Sequence, residues 1–122
     1  MTQMSTSKIS DRINLNYNEL QGLNGAINEL TSRYPFIEQI ILYGSKARGD
    51  SVEESDLDVL IVTEYPVPRE TKFLISDIIY NYELRHDIII SAIIVTQADY
   101  RNKMNPFLMN VRKEGIAIWS RE

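Results

Sequence analysis

Apolar positions change their period along this chain, and each change marks an element. Ile13, Tyr17, Leu20, Leu23, Ile27 and Leu30 recur at steps of three and four, the spacing of one helix face. The pattern predicts a helix from about Ser10, capped by Ser10 or Asp11. It ends at Tyr34-Pro35, because the residue before a proline avoids the α region. Gly22 and Gly25 each weaken that helix by about 1 kcal/mol relative to alanine, and they leave room for close packing. Residues 1–9 are mostly polar and are expected to be a flexible N-terminus, with residues 10–122 forming a single domain.

Shorter apolar runs follow. Ile37 to Tyr43 and Asp56 to Thr63 read as the first two strands. Pro68 opens a helix carrying Phe73, Leu74, Ile78, Ile79 and Tyr82, a stripe expected to face the core. Asp87 to Val95 is almost continuously apolar, as expected of a central strand covered on at least one side. Thr96 caps a short helix, Asn105-Pro106 opens another that Gly115 stops, and Ile116 to Trp119 is a last strand. The order α-β-β-α-β-α-α-β predicts an α/β fold: a small mixed sheet with helices packed on it. The strand–helix–strand unit from Asp56 to Val95 makes its two strands parallel.

At 122 residues and 43% apolar, the chain is expected to be one globular domain. There is no cysteine, so disulfides and thiolate metal sites are excluded, as suits a cytoplasmic protein. The N-terminus lacks the apolar core of a signal peptide, and the longest apolar run, Ile88 to Val95, is too short to span a bilayer. A net charge of −4 argues against a dedicated nucleic-acid binder, leaving a local basic patch near Lys46 and Arg48 and nucleic acid only as an acceptor.

The candidate chemistry lies between the first two strands, in IILYGSKARGDSVEESDLDVLIV. Gly44 permits positive φ and close approach of a ligand to the backbone. If Lys46 and Ala47 begin a short helix, its free N–H groups suit an anion, and the Ser45 hydroxyl adds a donor. Asp56 and Asp58 are two apart, so on a strand they share a face, with Cα atoms about 6.5–7 Å apart. Two such carboxylates repel unless a cation or proton lies between them, and carboxylate oxygens are ligands that Mg²⁺ prefers. Both halves meet at one end of the sheet only if the two strands are antiparallel, which is therefore predicted.

Gly44-Ser45-x-Ala47-Arg48-Gly49 followed by Ser55-Asp56-x-Asp58 resembles the signature of the minimal nucleotidyltransferases of the DNA polymerase β superfamily. The resemblance implies a nucleotidyltransferase fold and transfer of a nucleoside monophosphate from an NTP, ATP above all, to an acceptor hydroxyl. It implies Mg²⁺ held by Asp56 and Asp58, with the triphosphate held at Gly44 and Ser45. Arg48 pairs either with a phosphate or with Asp50, Glu53 or Glu54. Active members carry a third carboxylate on the neighbouring strand. Here Asp87 and Ser91 compete for that position, and Ser91 there removes the third ligand. Asp87 reads more simply as a strand-entry polar residue, His86 as a surface histidine and Tyr43 as a packing residue. The chain is expected to leave no room for a separate acceptor-binding domain, which implies that the acceptor arrives on another protein or with a partner subunit. Minimal members are often encoded beside a small helical HEPN-domain protein, which they neutralise as antitoxins, in some cases by adenylylating it. The alternative is therefore a catalytically weak antitoxin subunit that binds and neutralises such a partner. The first helix also leaves an oligomer open.

Overall fold

The computed structural model describes residues 15–49 and 56–121. The expected flexible start, the Ser10 and Asp11 caps and most of the acidic loop after Gly49 lie outside them. The elements run α1 (Tyr17–Arg33), β1 (Ile37–Tyr43), α2 (Gly44–Arg48), β2 (Leu57–Thr63), α3 (Arg69–His86), β3 (Ile90–Thr96), α4 (Gln97–Asn102), α5 (Pro106–Glu114) and β4 (Ile116–Ser120).

The first helix does not run back unbroken to Ser10. Asn16 is extended, with φ −79° and ψ 175°, and caps α1. Its side-chain oxygen accepts from the Glu19 N–H at 2.8 Å, and Glu19 Oε1 accepts from the Asn16 N–H at 3.0 Å. This reciprocal box satisfies two donors that a helix start otherwise leaves open. The far end behaves as expected: Tyr34, before the proline, is extended.

The sheet is mixed, in the order β3-β2-β1-β4. Strand β1 is antiparallel to both β2 and β4, and β2 is parallel to β3. Alternation sorts the strand residues onto two faces. Ile40, Leu42, Leu57, Val59 and Ile61 form one core with Leu23, Ile27 and Leu30 of α1 and Ile75, Ile78 and Ile79 of α3. Ile41, Leu60 and Val62 form a smaller one with Leu108 and Val111 of α5. Each such large apolar side chain stabilises the fold by about 1.5–3 kcal/mol when fully buried.

Three sequence expectations need correction. The third strand is an edge strand rather than a central one, and Ser91, Ala92 and Ile93 are exposed. Its apolar run reflects β-branched propensity more than burial on both faces. The α3 stripe is split: Ile78 and Ile79 are buried and Tyr82 is half-buried, but Phe73 and Leu74 face outward. Gly115 ends α5 with φ −69°, not left-handed. What demands glycine there is space, because a Cβ would stand 2.6 Å from both Ile41 Cγ2 and the Val111 carbonyl oxygen.

Candidate active site

The antiparallel β1–β2 pair brings the two halves of the sequence signature together. Tyr43, the last residue of β1, is the register partner of Asp58 on β2. The next residue, Gly44, has φ +77°, a value that L side chains adopt at a cost of about 1–2 kcal/mol. A Cβ on Gly44 would lie 2.5 Å from Asp58 Oδ2. The carboxylate thus packs against the bare Cα of the bend, and glycine is required twice over, by φ and by space. Gly44 also opens α2, whose N-cap residue, Tyr43, provides no side-chain acceptor to its first turn. Ser45 follows, half-buried, and Gly49 closes the helix at φ +79°.

Asp58 lies on the sheet face that α5 covers, in line with Leu60 and Val62. Asp56, one residue before β2, is exposed. Burial pushes the Asp58 carboxyl above its ordinary pKa, and the charge of Asp56 adds to the shift. Burial raises the Tyr43 phenol as well, with the Asp58 charge contributing. Tyr43 packs edge-on against Phe107 of α5, with ring centroids 5.5 Å apart. A half-desolvated acid with a second acid close by, and no cationic partner among the described residues, is a donor set that suits a divalent cation.

The cations of the signature are engaged elsewhere. Lys46 is 2% exposed, and its Nζ lies 2.9 Å from Glu19 Oε2 and 3.1 Å from Oε1. The local basic patch near Lys46 and Arg48 that the net charge left open does not include Lys46: this ammonium ties α2 to the start of α1. Glu19 holds Lys46 and the Asn16 cap together, a role that the Asn-x-x-Glu spacing could have signalled. Arg48 reaches Glu114 of α5 at 3.4 Å. Its expected acidic partners Asp50, Glu53 and Glu54 lie outside the described residues.

Among sequence families, the model of the nucleotidyltransferase domain matches residues 23–116. The chain belongs to that family. A relative from Methanocaldococcus jannaschii, named "Putative protein adenylyltransferase MJ0604", is 36% identical over 108 residues, covering 84% of this chain and 99% of that protein. Among solved structures, a toxin–antitoxin complex with AMP-PNP contains a chain similar to this one at TM-score 0.57 and 18% identity, covering 81% of this chain and 73% of that one. A tri-AMPylated Shewanella oneidensis HEPN toxin in complex with its MNT antitoxin gives TM-score 0.53 at 16% identity, covering 84% and 72%. At such identities the structural likeness shows the fold, which is the nucleotidyltransferase fold.

Within this nucleotidyltransferase, the competition between Asp87 and Ser91 is resolved by register. Ser91 on β3 pairs with Asp58 on parallel β2, so the two side chains stand on one face in adjacent strands. Asp87 is not in the strand at all. It is the left-handed cap that ends α3, with φ 55° and ψ 54°, a conformation that Asp tolerates better than most residues. Asp87 and Ser91 therefore share no strand face. Among the described residues no three His, Cys, Asp or Glu side chains gather as a metal cluster, in keeping with a serine beside the Asp pair. His86 is the last residue of α3 rather than a strand residue, and it stacks on Tyr82 with ring centroids 6.2 Å apart. No helix among the described residues is long and apolar enough to cross a membrane.

Proposed function

We propose that this chain transfers the nucleoside monophosphate of ATP to a hydroxyl group on a partner protein. The observation that carries the reading is the Asp58 carboxylate packed against the bare Cα of Gly44. It puts a metal-ligand acid beside a glycine bend that opens the short helix α2. Asp56 and Asp58 are the catalytic pair and hold Mg²⁺. Gly44 and Ser45 hold the triphosphate, through free N–H groups of the α2 first turn and the Ser45 hydroxyl. Bound Mg²⁺ supplies charge stabilisation to the phosphoryl oxygens and lowers the pKa of the attacking oxygen. The acceptor oxygen bonds to the α-phosphorus, the bond to the bridging oxygen breaks, and pyrophosphate leaves as the acceptor proton passes to solvent. The side chains here contribute position and electrostatics, which dominate such transfers. Arg48, which reaches Glu114 at 3.4 Å, is the third nucleotide-binding residue and pairs with a phosphate.

The M. jannaschii relative supports a protein acceptor and an adenylyl donor, and the HEPN complexes support a small helical HEPN-type partner. The absence of cysteine and the need for ATP support a cytoplasmic setting. One observation favours a second reading, a weakly active antitoxin subunit that neutralises its partner by binding: Ser91 stands where a third acid would complete the site. Incubation with Mg²⁺, α-labelled ATP and the co-purified partner separates the two. A partner that gains the mass of AMP, and gains none with the Asp56→Ala/Asp58→Ala variant, supports transfer. A partner that stays bound but never gains label supports the second reading. Label transfer that survives in the double variant overturns the assignment of the site.

A further inference from the structure

The outward face of α3 is apolar in a regular pattern. Phe73, Tyr80 and Leu84 are 58%, 57% and 66% exposed. With Asp77 they follow one another at steps of four, three and four, the line that neighbours share along a helix. Ile75, Ile78 and Ile79, which pack on the sheet, lie on the opposite side of the same helix. Leu74 widens the stripe, at 54% exposed, and Arg69 stands over the Phe73 ring at 5.6 Å on its rim. Among the described residues, packing accounts for the inner side of α3 and leaves this outer side without a partner.

The stripe is complementary to itself. When two copies of α3 are laid antiparallel about a two-fold axis between Asp77 and Tyr80, Phe73 meets Leu84 of the other copy and Asp77 meets Tyr80. Both apolar pairs then match, and each phenol hydroxyl donates to a carboxylate. Neither Asp77 nor Tyr80 makes a side-chain hydrogen bond or ion pair among the described residues. A parallel pairing would set Asp77 against Asp77, at a like-charge cost. Four exposed apolar side chains per copy, with the helix surface around them, bury on the order of 1,000 Å² in total, the level at which specific interfaces begin.

The geometry points to a homodimer joined through antiparallel α3 helices. The stripe lies on the opposite side of the sheet from Asp58 and Gly44, so pairing leaves the candidate site open. This inference does not depend on the proposed transfer reaction.

Sedimentation equilibrium of the full chain, with the Phe73→Glu and Leu84→Lys variants, tests it. The wild type is expected at twice the 14.1 kDa chain mass, and each single variant at the monomer mass, with the dissociation constant of the dimer raised at least about tenfold. The double variant Phe73→Glu/Leu84→Lys is expected to return to the dimer, because the antiparallel register sets each new glutamate against a new lysine. An equimolar mixture of the two single variants is expected to dimerise for the same reason. All the altered residues are exposed, and circular dichroism checks that the fold is kept. A monomeric wild type, single variants that dimerise as well as wild type, or a double variant that stays monomeric overturns the proposal. So does a wild-type chain that uses the stripe only to bind a different helical protein.

Discussion

Replacing Lys46 by methionine removes one member of the buried pair that ties α2 to α1. Methionine keeps most of the apolar stem, so the change isolates the charge. It strands Glu19, whose side chain is 6% exposed. Removing one partner of a buried ion pair costs about 3–5 kcal/mol, mostly because the other charge is left uncompensated. Glu19 keeps the Asn16 N–H bond at 3.0 Å and lies in the first turn of α1, where the helix dipole favours an anion. Those two terms put this case at the low end, about 3 kcal/mol, a large share of the 5–15 kcal/mol typical of a domain. With a urea slope near 2 kcal/mol per molar, the midpoint drops by about 1.5 M. Replacing both residues, Lys46→Met/Glu19→Leu, leaves no orphan charge and loses only the returning half of the capping box, about 1 kcal/mol. Urea unfolding followed by circular dichroism on the four proteins of this cycle measures the coupling, expected at about 2 kcal/mol or more. A Lys46→Met cost below about 0.5 kcal/mol, or a double variant as unstable as the sum of the singles, would refute the reasoning.

Gly44→Ala forces a Cβ into the space that Asp58 Oδ2 holds, 2.5 Å away at φ +77°. It is expected to cost about 1–3 kcal/mol and to cut transfer about 100-fold or more; unchanged label transfer by a folded variant counts against the cradle. Asp58 is held above its ordinary pKa by burial and by Asp56, so the folded state binds its proton more tightly than the unfolded chain does. Stability is therefore lost as pH rises from the unfolded value through the raised one. Asp58→Asn removes that loss: the metal-free variant is expected to be more stable at neutral pH by up to about 1 kcal/mol after solvent screening, with the difference shrinking in acid. Thermal melts across pH check this, and a variant less stable than wild type at neutral pH contradicts it. Ser91→Asp places a third acid beside Asp58 in register. Calorimetry should show Mn²⁺ or Mg²⁺ binding about tenfold tighter, with a lower metal-free melting temperature, and unchanged metal affinity speaks against the register argument.

Local chemistry made much of this fold legible. Period-two and period-3.6 runs placed all four strands and the longer helices, because backbone direction and side-chain alternation are local properties. Tyr34-Pro35, Thr96 and Asn105-Pro106 marked their boundaries for the same reason. The start of α1 was misplaced because the apolar rhythm continues upstream of Asn16, while the Asn-x-x-Glu box that sets the boundary is a hydrogen-bond signal. The expected strand entry at Asp87 failed similarly: a left-handed turn inside an apolar stretch leaves no trace in the hydropathy pattern.

By itself the sequence determined the α/β class, the antiparallel requirement between the first two strands, and the meeting of the Gly44 bend with Asp58. These depend on spacing along the chain and on what each residue type can do. Only the tertiary structure decided which strand lies at the edge and which cation is buried. It alone decided that Ser91, not Asp87, stands beside Asp58, and that α3 keeps an apolar side in solvent. Each of those depends on register, or on which of two faces meets a neighbour. Such relations join residues far apart in the chain, and no local pattern encodes them.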